Sequence, residues 1–511
     1  MRLSGAVSLK VCFGLGLASL MTSFGCGGGG SVTLPHPTGS YSNASLKGQY
    51  VYQVHGISPS TIYRELGVFV ADGAGNITST SDDSSTNAGA VSCTSACGTY
   101  QINSDGTGFI TLNSTALSSS FSPVLGPLTL ALTLVSASKV DLIEADAFAD
   151  AAGAAELQDS TATGAIPSGT FAFRLHQVFG TSLGTEAGVV TISAGGTVSN
   201  GSMDQNFNGN TSQLTLSGTL TAPASLGRGT GTFTDSGGST TNFTYYIVNA
   251  GKIDILASST NGNRAIGLGS AEIQSGSVGS GFSGTYVFGS RGDDLSTSGF
   301  FDGVATVGQF TGSGATISSG VYDSMLDGNY SASVSFTGTP TTSSNNPSSQ
   351  GRVQMILSTG AVEDFWMVSP TRAFFITESS SEIEDGTADL QTTTSFSAST
   401  MKGQFALVMD GGDFTQLQIG AGTLARVGTL QFDGTGNLTL SELVNASNSG
   451  SGAQSPGVLS GRYQVSSNGR IVSSLNSSTL NVVMYAVSSS DAYVLQTDLG
   501  TNTSGTVSLQ H

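Results

Sequence analysis

Gly153-Ala154-Ala155-Glu156-Leu157-Gln158 is a hexapeptide that returns three more times along the chain. The other copies are Gly269-Ser270-Ala271-Glu272-Ile273-Gln274, Gly386-Thr387-Ala388-Asp389-Leu390-Gln391 and Gly505-Thr506-Val507-Ser508-Leu509-Gln510, with closing glutamines 116, 117 and 119 residues apart. An opening motif repeats at intervals of 121, 115 and 119 residues, as Gly48-Gln49-Tyr50, Gly169-Thr170-Phe171, Gly284-Thr285-Tyr286 and Gly403-Gln404-Phe405. Two motifs with one period indicate four copies of a unit of about 115 residues.

Each unit is predicted to be all-β. Apolar and polar residues alternate after each opening glycine, as in Tyr50-Val51-Tyr52-Gln53-Val54-His55. A period of two is typical of a strand with one buried face. The Asp72-Gly73 and Asp433-Gly434 steps predict the same tight hairpin in units one and four. We therefore expect an antiparallel meander in every unit.

A second glycine halfway through each unit divides it into two halves of about four strands each. Such a unit closes as a barrel or packs as a sandwich, and closure removes exposed strand edges. A single β-propeller is the alternative. The junctions at 159–165, 275–281 and 392–400 are short and polar, which favours separate domains. The sequence predicts four antiparallel barrel or sandwich domains, at 46–158, 166–274, 282–391 and 401–510.

Residues 1–25 have the pattern of an export signal. Two basic residues, Arg2 and Lys10, precede an uncharged apolar stretch at 11–25. This stretch is too short to span a bilayer as a helix. Residues 26–45 then form a tether rich in glycine and serine. We expect the tether to be flexible and the domains to be exported.

Gly25-Cys26 resembles the lipobox of bacterial lipoproteins, and the whole mature chain resembles the members of this class that are made of tandem β-repeats. Ser23 and Phe24 depart from the leucine-like and small residues that this family prefers at those positions. The resemblance implies that Cys26 carries a lipid and anchors the protein to the outer membrane or cell surface. A plain secretory signal and a secreted protein are the alternative.

The composition fits an exported protein. Charged residues form 10% of the chain, and the formal net charge is −18 at pH 7, which repels phosphate backbones and argues against nucleic-acid binding. Of the four cysteines, Cys12 lies in the export signal and Cys26 in the lipobox, which leaves Cys93 and Cys97. In an oxidising compartment this pair predicts a short-loop disulfide, and a two-cysteine metal site is the alternative.

The chain offers few residues for catalysis. His55 and His176 stand seven residues after an opening glycine, where the other units have Arg291 and Asp410. We interpret a position that accepts such different residues as a solvated strand end. The sequence contains no nucleophile elbow, phosphate-binding loop or metal-type histidine spacing, so we predict no catalytic residue and no cofactor.

An acidic position recurs about nine residues after the first hairpin turn of each unit, as Asp82-Asp83, Asp204, Asp323 and Glu442. The structural interpretation is a carboxylate that caps a loop. The functional interpretation is a calcium site built with neighbouring carbonyl groups. Asp82 and Asp83 are the adjacent pair and hence the weak calcium candidates; no other metal site is predicted.

Three functions remain open. Repetition without shared catalytic residues favours a non-enzymatic surface protein, a spacer, adhesin or envelope component that contacts glycans or surface proteins. The second is a carrier of small apolar ligands in barrels lined by the opening aromatic residues. The opening strand is similar to that of lipocalin-like barrels, but the lipocalin tryptophan is absent, so the carrier function of that family does not transfer. The third is an enzyme that acts on polysaccharide through Asp141 and Glu144.

Overall fold

The computed structural model describes residues 40–58, 61–85, 90–113, 127–179, 182–258, 265–295, 303–341, 346, 348–414, 422–446, 452–475 and 480–511. This part of the chain contains 33 β-strands, three short 3-10 turns and no α-helix. A search of the same residues finds no helix with the length and apolar character of a membrane span. The predicted all-β class is therefore confirmed.

The strands form four closed antiparallel barrels. Barrel 1 contains β1 (Lys47–Ser58), β2 (Thr61–Asp72), β3 (Asn76–Ser84), β4 (Val91–Cys93), β5 (Gly98–Ile102), β6 (Thr107–Leu112), β7 (Leu128–Ser136), β8 (Lys139–Glu144) and β9 (Asp150–Leu157). Barrel 2 contains β10 (Gly169–Phe179), β11 (Ser182–Ile192), β12 (Thr197–Phe207), β13 (Asn210–Leu220), β14 (Arg228–Asp235), β15 (Thr240–Asn249), β16 (Lys252–Ser258) and β17 (Ala265–Ile273).

Barrels 3 and 4 repeat the eight-stranded plan. Barrel 3 contains β18 (Phe282–Asp294), β19 (Val304–Gly314), β20 (Thr316–Leu326), β21 (Asn329–Pro340), β22 (Arg352–Leu357), β23 (Val362–Ser369), β24 (Arg372–Glu378) and β25 (Glu382–Leu390). Barrel 4 contains β26 (Lys402–Asp413), β27 (Gly422–Asp433), β28 (Asn437–Ala446), β29 (Val458–Val465), β30 (Arg470–Leu475), β31 (Asn481–Ala486), β32 (Asp491–Gln496) and β33 (Thr501–Leu509).

Each barrel closes because its last strand pairs with its first. Barrels 2, 3 and 4 close in simple sequence order. In barrel 1, β3 pairs with both β2 and β5, and the short β4 adds only to the edge of β3. The barrel prediction is confirmed, and the sandwich and propeller alternatives are wrong.

The opening glycines are required at the seam where first and last strands pair. All four have φ between +117° and +138°, a range that side chains other than glycine rarely adopt. A Cβ on Gly48 would also lie 2.7 Å from Cδ1 of Leu157, and the other three seams show the same approach at 2.8–3.1 Å. The glycine and the closing hexapeptide therefore recur together because they touch.

The opening aromatic residues point into the barrels. Tyr50, Phe171, Tyr286 and Phe405 are fully buried, each in the apolar core of a different barrel. Burying a side chain of this size stabilises a fold by about 2–3 kcal/mol. The alternating pattern of the first strand thus gives every barrel its own core.

The four barrels pack in a closed ring. The sequence analysis had instead favoured separate domains joined by short polar linkers. Residues Pro37–His511 form one compact unit. Apolar side chains fill each interface: Val51 and Leu66 with Tyr246 between barrels 1 and 2, Val189 with Trp366 between 2 and 3, Val307 with Val483 between 3 and 4, and Val427 with Ile143 between 4 and 1. Barrel 4 therefore returns to barrel 1.

The closing glutamines join each barrel to the next. Each donates its side-chain amide to two main-chain carbonyl groups: Gln158 to Leu226 and Ile247, Gln274 to Gln350 and Met367, Gln391 to Asn468 and Ala486, and Gln510 to Asp105 and Leu134. The last pair of acceptors lies in barrel 1. The same bond pattern thus operates at all four junctions.

Candidate functional site

The residues seven positions after the opening glycines are not solvated strand ends. Nε2 of His55 lies 2.7 Å from Oδ2 of Asp410, and Nη1 of Arg291 donates to both oxygens of Asp410 at 2.8 and 2.9 Å. These side chains point outward from barrels 1, 4 and 3, but the neighbouring barrels cover that outer surface. The sequence analysis missed the burial of these side chains, because an alternating pattern distinguishes the inner and outer faces of one barrel but does not show which outer surfaces another barrel covers.

His176 forms the second half of this central cluster. Its Nδ1 lies 2.9 Å from Asp385 and its Nε2 3.2 Å from Asp293. Burial lowers the pKa of His176, but the two aspartates raise it to about 9. Burial and Arg291 instead lower the pKa of His55 to about 4. Each side chain is held by a partner from another barrel, so the cluster acts as a joint of the ring.

Three of the four interfaces contain a clamp, which we define as an arginine and an aromatic residue of one barrel that bind an aspartate of the preceding barrel. The arginines are bidentate to their aspartates at 2.6–2.9 Å: Arg228 to Asp83, Arg352 to Asp204 and Arg470 to Asp323. The residue opposite each arginine on the next strand donates to the same carboxylate at 2.6–2.9 Å: Tyr246, Trp366 and Tyr485.

The clamps account for the recurrent acidic position in three of the four units, because Asp83, Asp204 and Asp323 are the aspartates of the clamps. Asp83 faces barrel 2, whereas Asp82 faces into barrel 1 against Tyr52, so the two calcium candidates point to opposite faces of β3. The Arg228 guanidinium occupies the position beside Asp83 at which the calcium interpretation would place the metal ion. Glu442 also faces inward, where it binds Arg426 at 2.8 Å.

Among the residues that the structure describes, one further group of acids has the close spacing of metal ligands. Carboxylate oxygens of Asp204, Asp364 and Glu378 lie within 4.8 Å of one another. Arg352 binds Asp204 at 2.6 Å and Asp364 at 2.7 Å. Because this guanidinium already supplies the positive charge, we assign the group to the clamp.

The predicted cysteine roles fall in different parts of the chain. Cys26 and the export signal lie outside the described residues. Cys93 and Cys97 are joined as a disulfide with their Cα atoms 5.6 Å apart, beside the core of barrel 1. The bond between the two sulfur atoms removes both as thiolate ligands for a metal.

Asp141 and Glu144 do not form a pair of catalytic acids. They are three residues apart on β8, so their side chains lie on opposite faces of the sheet. Glu144 shares the inward face with Leu142 of the barrel 1 core, and Asp141 shares the outward face with Ile143 at the barrel 4 interface. A glycosidase needs both carboxyl groups in one cleft, and β8 does not provide that arrangement.

The interior of barrel 3 contains a cavity of about 260 Å³. One end is aromatic and is lined by Phe288, Phe310, Phe336, Phe365 and Phe375. The other end is polar and is lined by Ser290, Thr306, Tyr322, Glu363, Thr377 and Glu384. The lining also includes Leu326, which is 39% exposed. The cavity thus extends from a closed aromatic core toward the surface.

Two of the polar residues occupy positions that are apolar in the other barrels. Ser290 lies six residues after the opening glycine, and Glu363 lies three residues before the aromatic position of the clamp. The buried equivalents of Ser290 are Val54, Leu175 and Met409, and those of Glu363 are Leu130, Phe243 and Val482. Barrel 3 therefore departs from its own repeat at the wall of the cavity.

Glu363 and Glu384 compete for one hydrogen-bond donor. Oγ1 of Thr377 lies 3.2 and 3.0 Å from the two oxygens of Glu363 and 3.4 Å from Oε2 of Glu384. A hydroxyl group carries one hydrogen, so two of these three oxygens go without it. Ser290 donates to the remaining oxygen, Oε1 of Glu384, at 2.5 Å, and the Thr306 side chain also hydrogen-bonds to Glu384.

The polar end of the cavity is short of positive charge. Burial, followed by the neighbouring Glu384, raises the pKa of Glu363 well above its ordinary value. Burial raises the pKa of Glu384 to about 7, against the hydrogen bond from Ser290. The described lining residues include no lysine, arginine or histidine. Ionised carboxylates in this cavity therefore have no cationic partner in its wall.

Comparison with known proteins does not identify a family. No family model matches the chain, and no curated protein matches it. Similar solved structures include transferrin binding protein B of Haemophilus parasuis Hp5 (8% identity, TM-score 0.21, covering 73% of this chain and 84% of that one). Another is the isotype 1 protein of serogroup B Neisseria meningitidis (9%, 0.20, covering 78% and 82%). At these TM-scores we draw no functional conclusion from the likeness.

Proposed function

We propose that this chain is an exported, lipid-anchored, non-enzymatic binding protein whose third barrel takes up a small ligand. The supporting observation is the 260 Å³ cavity, with Ser290 and Glu363 where the other barrels have apolar side chains. Burying an ionisable group in a barrel core costs free energy unless something offsets that cost. A carboxyl group at one of four equivalent positions indicates a use other than packing.

The ring is suited to hold such a cavity open. Barrel 3 is clamped on both sides, through Arg352 to barrel 2 and through Asp323 to barrel 4. Walls fixed from outside need little reordering when a ligand enters, which favours binding. The outer surface of the ring would serve as spacer and as the contact for glycans or other surface proteins.

The anchor in this proposal is the lipid on Cys26, followed by the tether to residue 45. Replacing Cys26 with serine should release the protein from the membrane fraction, because the lipid would be its strongest attachment. Incorporation of a labelled lipid precursor should be lost in the same variant. A Cys26→Ser protein that still sediments with membranes would contradict the lipid anchor.

Ligand uptake can be tested by filling the cavity with residues that the chain already uses. The double variant Ser290→Met and Glu363→Leu copies Met409 of barrel 4 and Leu130 of barrel 1. Ligand-observed NMR with a set of small aromatic fragments should show saturable binding to the full chain and none to this variant. Equal fragment binding by both proteins, or by neither, would overturn uptake in barrel 3.

A further inference from the structure

We infer that the barrel 3 cavity selects a small organic cation, an ammonium group carried on an aromatic or apolar body. This inference rests on the proposed uptake of a ligand by barrel 3. It concerns the chemistry of the ligand, which the two ends of the cavity specify separately. The polar end accounts for the charge and the aromatic end for the body.

The polar end offers acceptors without enough donors. Thr377 supplies one hydrogen to three carboxylate oxygens of Glu363 and Glu384, which are 9% and 7% exposed. An ammonium group supplies up to three donors and a positive charge. Glu384 also receives hydrogen bonds from Ser290 and Thr306, but none of these three hydroxyl groups carries a charge. An ammonium group would therefore add donors to the two carboxylates and reduce the repulsion between them.

Two interior acids of other barrels have nitrogen donors that Glu363 and Glu384 lack. Glu442 is held by Arg426 at 2.8 Å inside barrel 4, and Glu186 accepts from Gln205 at 2.7 Å inside barrel 2. In barrel 3 the residue equivalent to Arg426 is Thr306, which stands two residues before the repeated glycine of the second strand. The cation that barrel 4 carries in its own wall would come from the ligand in barrel 3.

The aromatic end suits the rest of such a ligand. Phe288 lies with its ring centroid 6.0 Å from that of Phe375 and 6.3 Å from that of Phe336, and Phe365 lies 5.1 Å from Phe375. Ring faces attract a nearby cation, and an apolar body gains free energy by leaving water. A volume of about 260 Å³ lies just below the usual range for drug-sized ligands. We therefore expect a compact ligand with a single ring.

The charge state of the cavity makes binding depend on pH. Glu384 is faced by Glu382 on its own strand, Glu363 on β23 and Tyr322 on β20, and Glu382 in turn by Asp294 and Asp327. None of these groups is cationic, and burial raises the pKa of Glu384 to about 7. An ammonium ligand favours the ionised carboxylates, so binding releases protons and its affinity increases between pH 5 and pH 8.

The test compares three probes that share a 2-phenylethyl group, by titration calorimetry with the full chain at pH 8. These are 2-phenylethylamine, 2-phenylethanol and 3-phenylpropanoate. We expect the amine to bind about tenfold or more tightly than the alcohol and the carboxylate not to bind, because the cavity is negative. The advantage of the amine should shrink at pH 5.

Two single variants and a matched control locate the effect. Glu363→Gln and Glu384→Gln should each weaken amine binding about tenfold and leave alcohol binding nearly unchanged. Glu186→Gln makes the same change inside barrel 2 and should alter neither. Glu363→Leu, which copies Leu130, should fold and lose the preference for the amine.

The outcomes separate this inference from the proposed function. Equal binding of amine and alcohol, unaffected by the two glutamine variants, would overturn the cation and leave ligand uptake intact. Failure of all three probes, together with no fragment binding by NMR, would overturn both. Loss of amine binding in Glu186→Gln as well would show that the site is not in barrel 3.

Discussion

The side-chain amide of Gln510 donates to the main-chain oxygen of Leu134 at 2.6 Å, and this bond joins the last barrel to the first. The three internal junctions use the same contact, from Gln274 to Met367 and from Gln391 to Ala486 at 2.7 Å and from Gln158 to Ile247. The main chain also continues the pattern, because the amide of His511 donates to Val135 at 3.1 Å. The chain therefore closes a ring without a covalent bond.

Replacing Gln510 with alanine should destabilise the whole ring. The carbonyl groups of Asp105 and Leu134 would lose their shared donor, which costs about 1–3 kcal/mol. The measurement is the free energy of unfolding in urea. Gln101→Ala, at an exposed position of barrel 1, is the matched control and should change it by less than about 0.5 kcal/mol. Equal effects of both substitutions would argue against a closed ring.

The clamp between barrels 3 and 4 should show strong coupling in a double-mutant cycle. Asp323→Leu and Arg470→Thr copy the barrel 4 to barrel 1 interface, where the equivalent residues are Leu443 and Thr107. Each single change leaves one buried charge without its partner and should cost about 3 kcal/mol or more. The double variant should recover about 2 kcal/mol of the summed loss in urea unfolding. Simple additivity would contradict the clamp.

His176 should stabilise the ring in acid and neutral solution but not in alkali. Its folded pKa of about 9 is raised from 6.5, so its contribution is fully present below pH 6.5 and is lost as the pH rises through 9. The difference in unfolding free energy between wild type and His176→Gln should therefore be roughly 3 kcal/mol larger at pH 6 than at pH 10. A difference that does not change with pH would show that His176 is neutral in the ring.

Asp141 should weaken the barrel 4 to barrel 1 interface at neutral pH. Burial raises its pKa from 3.8 to about 6, so its contribution is favourable below pH 3.8 and is lost as the pH rises through 6. Asp141→Asn cannot ionise and should be more stable than wild type at pH 7 by up to roughly 3 kcal/mol. Thermal melting at pH 7 and pH 3.5 measures this, and the two proteins should melt alike at the lower pH. A less stable variant at pH 7 would contradict this account.

The sequence predicted the barrels because their cause is local. Alternation after Gly48 and its equivalents sets one inward face for each strand, and the closing hexapeptide marks the strand that returns to it. The positive φ of the opening glycine and its contact with Leu157 belong to the same seam. Both signals lie within single strands, where a sequence pattern is informative.

The contacts between barrels could not be predicted in this way. His55 and Asp410 are 355 residues apart in sequence, and only the packing of the ring brings them together. Glu442 was grouped with Asp204 and Asp323, but it lies one residue away from their outward position, which Leu443 occupies. On a strand, a shift of one residue moves the side chain to the opposite face.

The cavity residues left a signal that the sequence analysis did not use. Glu363 is visible when the four units are aligned on the aromatic position of the clamp, because the other units have leucine, phenylalanine and valine there. That position can be recognised only after the pairing of Arg352 with Trp366 is known. Once the strand registers are known, comparing equivalent positions of the four repeats therefore identifies the polar cavity residue Glu363, which the alternating pattern of a single strand does not reveal.

A crystal structure of the full chain with 2-phenylethylamine tests the central claim most directly. The account predicts one molecule inside barrel 3, with its nitrogen within hydrogen-bond distance of Glu363 and Glu384 and its ring against Phe365 and Phe375. A barrel 3 interior closed by its own side chains, or the amine bound elsewhere on the ring, would contradict it.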